Sequence, residues 1–234
     1  MHDLVTRLDA KPELRLVPYS FQRAYGHPPD TVWTAPYAVR LADPTLAIPV
    51  QWQVVVAASL RTDGVVRMAS LNRPAEFVDS PLGVPTELPS WAQSPYETLT
   101  GGVDLLVHAD LPPITGLSAD LPLACATALA VGGAPPIGDP ALLRAILDGR
   151  PSADSSARLM LIVTRGVGTN AAVEASLSVG ASAAWPHGGG VVAQVPSALR
   201  ARLRAAVATA FRERDLRSPR FLNLTIAGPA RREA

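Results

Sequence analysis

The chain has very little cysteine, and this limits the chemistry available to it. Its 234 residues include one cysteine, Cys125, which lies in an apolar helical run. A single thiol cannot form an internal disulfide, and without paired cysteines it gives no metal site. The four histidines lack i,i+4 spacing, so zinc is not expected. We predict a buried structural thiol at Cys125.

The chain also lacks a charge imbalance. Twenty-one basic and twenty acidic residues give a net charge of +1, so no long-range field favours nucleic acid or an anionic membrane as a partner. The first 16 residues mix charged with apolar side chains, which predicts neither a signal peptide nor a membrane-spanning helix there. We expect a soluble, cytoplasmic protein.

Apolar material is abundant, at 48% of the residues, and it suits one large domain or two small lobes. An antiparallel ribbon is predicted over 31–70. Its first strand has alternating large residues over 33–41, its second is a valine-rich run over 48–61, and a Thr-Asp-Gly turn at 62–64 leads into a returning third strand. Prolines and polar residues without periodicity predict a loop over 73–100, with one short helix near 90–99.

The next segment has the layout of a phosphate cradle. The segment "GGVDLLVHADLP", residues 101–112, is predicted to be a strand. A glycine-containing turn leads from it into an Ala/Leu-rich helix over about 120–131, with Asp120 or Ser118 as its cap. Backbone N–H groups and the helix dipole bind anions in such places. The turn nevertheless carries Pro112, Pro113 and Ile114 where small residues are expected.

The second half alternates strands and helices after a polar linker near residue 150. A buried strand, a helix, a glycine turn into a strand, a helix beginning at its N-cap Ser197 and a closing strand follow in order. This order predicts a two-layer α+β lobe with a mainly antiparallel sheet. The last residues, "GPARREA", are predicted to be frayed.

Three segments in a fixed order resemble the signatures of the GHMP kinases, and those of galactokinase most closely. They read "FQRAYGHPPDTVWTAPYAVRL" from Phe21, "GGVDLLVHADLPPITGLSADLPLACATALA" from Gly101 and "SAAWPHGGGVVAQVP" from Ser182. The resemblance implies an α+β fold of two lobes. It implies a ribosomal-protein-S5-like N-terminal lobe over 1–150 and a ferredoxin-like C-terminal lobe over 151–234.

The resemblance also implies where a nucleotide would lie. In the family the second signature holds the phosphates, and the glycines of the third signature permit a hinge or a tight backbone approach. Carried over to this chain, the cofactor-binding positions are Pro112, Thr115, Gly116, Leu117, Ser118, Asp120, Gly188, Gly189 and Gly190.

The residues that carry charge in the family are largely missing. Tyr37 and Ala38 stand where galactokinases have Gly and a phosphate-binding Arg, and residues 42–44 replace the segment that holds the sugar. Arg40 is a weak substitute for that Arg. No aspartate matches the family's catalytic base, because Asp139 and Asp154 both lie in turn-like sequence.

The loop of the second signature also lacks features that phosphate binding needs. Pro113 has no N–H to donate, and Ile114 and Thr115 replace a small Gly-Ala pair, so we predict a loop with too little room and too few donors for a triphosphate. The family's magnesium-binding Glu aligns with Ala124. Asp120 could hold a cation through one carboxylate, but its position is more typical of an N-cap.

These departures lead to a first hypothesis and its alternative. The first is a catalytically inactive galactokinase-like protein without a cofactor, which binds a small metabolite or a protein partner, in regulation for example. The alternative is an active kinase for a sugar-like alcohol, using ATP and Mg²⁺ with Asp120, Arg40 and Asp110 in a rearranged site.

Two further functions were weighed. A scaffold role would place an interaction site in the segment 73–100. A Ser118-His108-Asp110 hydrolase lacks the Gly-x-Ser-x-Gly elbow of such enzymes, so chance composition explains those three residues better.

Overall fold

The computed structural model describes residues 11–84, 87–111, 115–149 and 158–234. The predicted α+β class is confirmed, with two sheets and six α-helices in these residues. Pro112, Pro113 and Ile114 lie outside them, so the prediction that this loop obstructs a triphosphate stays a prediction. Asp154 also lies outside the described residues.

The first sheet has six strands in the order β10-β1-β2-β5-β3-β4. Their bounds are β1 Thr31–Arg40, β2 Ala47–Arg61, β3 Val65–Ser70, β4 Phe77–Pro81, β5 Gly102–Ala109 and β10 Arg231–Arg232. Strand β1 pairs antiparallel with β2 over the whole of β1, with a bulge between Pro36 and Tyr37. This pairing confirms the first two strands of the predicted ribbon.

The third strand of that ribbon was placed wrongly. The turn at 62–64 forms as predicted, but β3 does not return along β2, because β5 lies between the two. Strand β5 pairs antiparallel with β2 and parallel with β3. Six of its eight residues are buried, and an apolar strand of this kind gains most from a central position in the sheet.

Helices cover both faces of the first sheet. On one face lies α1, Pro12–Tyr25, whose Val17 and Phe21 are completely buried against β2 and β5. The opposite face packs on α2 Ser90–Tyr96, α3 Asp120–Ala130 and α4 Pro140–Asp148. Mixed charged and apolar residues had hidden α1, whose apolar positions 14, 17, 18, 21 and 25 share one helical face.

The second sheet has four strands in the order β7-β8-β6-β9. The strands are β6 Leu159–Val163, β7 Ala183–His187, β8 Gly190–Gln194 and β9 Arg220–Asn223; the helices are α5 Thr169–Ser178 and α6 Arg200–Glu213. Alternate residues of β6 face in opposite directions: Met160 and Ile162 pack on the two helices, whereas Leu159 and Leu161 join the core of the first sheet. The two sheets therefore share one core.

Several local predictions were wrong. A short 3₁₀ turn at Ser197–Leu199 precedes α6, so the N-cap of α6 is Leu199 and not Ser197. No side chain caps the start of the 3₁₀ turn or the start of α6. The terminal residues are not frayed, because β10 pairs with β1 at Trp33 and Thr34. The segment 73–100 is not only loop: it contains β4 as well as the predicted short helix, α2.

Strand β10 belongs to the first sheet although it ends the chain. The division into lobes at residue 150 stays a prediction. No helix in the ranges given above is long and apolar enough to cross a membrane.

Candidate functional site

The two glycine motifs of the sequence meet in space. Gly116, in the loop before α3, has φ +77°, and a Cβ added there would lie 2.6 Å from the backbone N of Gly189, in the β7–β8 turn. Gly188 has φ +54°, and a Cβ on it would collide with the carbonyl oxygen of Gly116. Only glycine permits this conformation and this backbone approach. The structure thus brings Gly116, Gly188 and Gly189 together.

Other predicted site residues support this contact from either side. The carbonyl oxygen of Gly189 accepts hydrogen bonds from the Thr164 hydroxyl and from the Gly166 N–H, each at 2.8 Å. Gly190 is the first residue of β8 and packs on the backbone of β6. The turn is therefore held to the second sheet, while Thr115 and Leu117, both buried, anchor the loop in the first.

The N-terminus of α3 already faces a carboxylate. The helix begins at Asp120, and its N-cap is Ala119, not Ser118 or Asp120. The Ser118 hydroxyl donates to the Asp120 carboxylate at 2.8 Å and accepts from the Asp120 N–H at 3.1 Å. An acidic residue in the first turn satisfies the positive end of the helix dipole. Asp120 thereby reduces the attraction of this end for an anionic ligand.

A cavity of about 800 Å³ opens beside this helix end. It lies between the ends of β3 and β5, helix α2 and the start of α3, and this size suits a small organic ligand. Four predicted residues line it: Gly116, Leu117, Ser118 and Asp120. Tyr37, which stands in the sequence where the family has a glycine, also lines it, whereas Ser70, Asn72, Trp91, Val107 and Leu123 were not predicted.

Tyr37 forms part of the wall of this cavity. Its side chain is 1% exposed, and burial raises its pKa to about 12, helped by the negative charges of Asp110 and Asp120. The Leu111 amide is close enough to lower this pKa somewhat, but its geometry is not that of a hydrogen bond. The hydroxyl therefore lacks a hydrogen-bond partner among the residues described.

Trp91 repeats this situation in another wall. Trp91 lies in α2, and its indole N–H is buried and has no acceptor in the described part of the chain. A buried donor without a partner is rare in native proteins. The signal that could have indicated this residue is a tryptophan placed within a polar, proline-rich segment.

Arg40 and Asp110, which the kinase alternative would use, already bond to other protein groups. Arg40 forms an ion pair with Asp139, which also caps α4 by accepting from the Leu142 N–H at 2.9 Å. This use of Asp139 at a turn agrees with the prediction from sequence. Asp110 accepts from the Gln53 N–H at 3.0 Å, and burial raises its pKa.

The environment of His187 is set by neighbouring groups. Burial lowers its pKa, and the positive charge of Arg40 acts in the same direction. The indole of Trp185, in the same strand, donates to the Arg40 carbonyl oxygen at 3.2 Å. Both effects favour the neutral form of His187.

Neither hydrolytic nor metal chemistry is favoured by the geometry. His108 Nε2 lies 3.7 Å from Asp110, while the Ser118 hydroxyl is committed to Asp120. No group of three or more His, Cys, Asp or Glu side chains suited to a metal occurs where the structure is described. Cys125 is buried as predicted.

Comparison with known proteins identifies the fold. No family model matches the sequence, and no curated protein is significantly similar to it. The galactokinase of Lactococcus lactis, solved with galactose, superposes with a TM-score of 0.74 at 11% identity, covering 93% of this chain and 99% of that one.

Two other kinases superpose less closely. For the mevalonate kinase of Methanococcus jannaschii the TM-score is 0.53 at 9% identity, with 84% and 98% of the two chains covered. For the homoserine kinase of Cytophaga hutchinsonii it is 0.52 at 12% identity, with 86% and 96% covered. The chain therefore has the GHMP kinase fold, as the resemblance implied.

Proposed function

We propose that this protein is a non-catalytic member of the galactokinase-like fold which binds a small organic molecule in the cavity beside α3, in the cytoplasm and without a nucleotide or metal cofactor. One observation carries the proposal. The cavity is open and large, yet the charged groups that phosphoryl transfer would need around it are absent or bound to other protein groups.

The catalytic half of the proposal follows from what phosphoryl transfer requires. The reaction depends on positioning and on stabilising charge, with cations at the phosphates and a base at the acceptor hydroxyl. Arg40 is paired with Asp139, and Asp110 with a backbone N–H. Asp120 adds negative charge where the phosphates would lie. The loss of one such element typically raises the activation free energy by several kcal/mol.

The binding half follows from the cavity itself. Tyr37, Trp91, Val107 and Leu123 give its walls apolar surface, and polar groups come from Ser118 and Asp120 and from Ser70, Asn72, Arg73, Ser90 and Gln93. Apolar surface combined with polar groups that fix the orientation of a ligand is typical of small-molecule sites. A regulatory role through a bound metabolite or a protein partner is consistent with such a site.

The alternative is an ATP- and Mg²⁺-dependent kinase, which the names of the superposed enzymes suggest. Incubation with Mg-ATP and a panel of sugars and small alcohols separates the two functions. We expect no turnover by the wild-type protein. Turnover that is abolished by Asp120→Ala, but not by the distant surface change Glu213→Ala, would refute the proposal. Stabilisation by ATP that requires Mg²⁺ would also favour the kinase.

Binding in the cavity is tested separately by blocking it. Ala119 lines the cavity and Ala208 is exposed on α6. Thermal-shift and calorimetric screening with metabolites, including ATP, ADP and galactose, should find a ligand whose binding Ala119→Trp abolishes and Ala208→Trp leaves unchanged. Binding that both variants retain would place the site elsewhere.

A further inference from the structure

Two unused hydrogen-bond donors lie in the walls of one cavity. The Tyr37 hydroxyl and the Trp91 indole N–H are both buried, and neither has an acceptor among the described residues. Both side chains line the cavity beside α3. Because an unpaired buried donor destabilises the ligand-free protein, a molecule that supplies an acceptor gains affinity from each of them.

The cavity end next to Tyr37 is negatively charged. Asp120 lines the cavity together with Tyr37, and the charges of Asp110 and Asp120 both raise the pKa of the Tyr37 hydroxyl. Asp120 is exposed and accepts a hydrogen bond from Ser118, and it forms no ion pair among the described residues. Arg73, which also lines the cavity, lies 3.6 Å from the Glu76 carboxylate in an exposed ion pair that offsets part of its positive charge.

From these observations we infer that the cavity takes an uncharged molecule with an apolar body and hydrogen-bond acceptors directed at Tyr37 and Trp91, and that it discriminates against the anionic form of the same molecule. This inference rests on the proposed function, since it names the class of ligand for that site.

The two donors define the contacts that the ligand makes. Because neither polar atom touches solvent in the ligand-free protein, binding requires both side chains to shift so that these atoms face the cavity. The apolar body of the ligand then lies against Val107, Leu117 and Leu123. A carbonyl, ether or ring nitrogen satisfies each donor, because both require an acceptor only.

An anion meets two penalties in the same place. Its charge is repelled by Asp120, and it cannot use the N-terminus of α3, whose positive end Asp120 already faces. For a like charge at about 6 Å and an effective dielectric constant of about 20, Coulomb repulsion corresponds to roughly a hundredfold in the dissociation constant. Solvent screening reduces this, so we expect at least about tenfold.

Matched pairs of probes test the inference. A panel of neutral aromatic amides and nucleosides is titrated against the carboxylate or phosphate of the same skeleton, for example nicotinamide with nicotinate and adenosine with its 5′-monophosphate. Calorimetry gives the dissociation constants. The Trp91 indole N–H resonance, assigned through Trp91→Phe, reports whether a probe reaches that wall of the cavity.

The expected result is a preference of about tenfold or more for the neutral member, with a shift of the Trp91 resonance. Asp120→Asn should reduce this preference at least about threefold, and Tyr37→Phe should weaken the neutral probe about three- to tenfold. The controls Glu213→Gln and Tyr19→Phe, both on exposed surfaces away from the cavity, should change neither constant.

The possible failures are distinguishable. Tighter binding of the anion, or a preference that Asp120→Asn leaves unchanged, overturns the inference while the proposed function stands. If no probe of either kind binds the wild-type protein, the proposed function fails and the inference falls with it.

Discussion

Removal of a single oxygen atom from the core is expected to stabilise this protein. The Tyr37 hydroxyl is buried and lacks a hydrogen-bond partner in the described structure, whereas in the unfolded chain water satisfies it. Tyr37→Phe removes this atom and leaves the ring in place. The folded state then no longer loses the hydration of the hydroxyl.

The size of the effect follows from the cost of an unsatisfied buried group, which is about 1–3 kcal/mol. The nearby Leu111 amide recovers part of this cost, because it interacts weakly with the hydroxyl oxygen. We therefore expect the free energy of unfolding to rise by about 1–2 kcal/mol. For a chain of this size each kcal/mol corresponds to about 2–4 °C in the melting temperature.

The matched control is the same substitution at Tyr25, where the opposite sign is expected. The Tyr25 hydroxyl donates to the Leu105 carbonyl oxygen at 2.7 Å, so Tyr25→Phe should destabilise the protein by about 1 kcal/mol. Urea unfolding of both variants, monitored by circular dichroism, measures the difference. If Tyr37→Phe destabilised the protein as much as Tyr25→Phe, the hydroxyl of Tyr37 would have to be satisfied, and the reasoning would be refuted.

Three further predictions concern other parts of the molecule. Hydrogen bonds to the Pro28 carbonyl and to the Asp104 carboxylate raise the pKa of His27. The contribution of His27 to stability is therefore full below about pH 6.5 and is lost as the pH rises through the pKa of the folded state. The substitution His27→Gln should flatten this part of the curve of stability against pH. Gly116→Ala forces a Cβ against the facing turn at φ +77° and should destabilise the protein by about 2–4 kcal/mol, whereas Gly101→Ala, with nothing within 4 Å, should be nearly neutral in the same urea assay. Burial raises the pKa of the Cys125 thiol to about 12, so a disulfide reagent at pH 8 should modify it only at the rate of unfolding; rapid modification of the native protein would contradict this.

Local patterns predicted most of the elements, because alternation and helical spacing are properties of short segments. The strands at 31–40 and 47–61 were found where their alternation placed them, and the short helix at 90–96 and the helix after residue 120 were found at their predicted positions. Helix α1 and strand β4 were missed, since charged or polar residues interrupt their apolar positions.

Pairing between distant segments was predicted less well. The turn at 62–64 predicted a hairpin, and the turn forms, but β5 takes the place beside β2. The gain from burying an apolar central strand exceeds the entropic advantage of pairing the nearest neighbour. Such competition is decided by the whole sheet and leaves no local trace in the sequence.

The sequence by itself determined the residue types at the candidate site: glycines at the two turns, a tyrosine in place of a small residue, and few of the charged residues that the similar family carries. Only the tertiary structure brought Gly116 against Gly189 and joined Tyr37 and Trp91 in the walls of one cavity. It also decided that Arg40 binds Asp139. Residue types follow from the sequence directly, whereas hydrogen-bond partners, burial and pKa depend on which distant segments the shared core holds together.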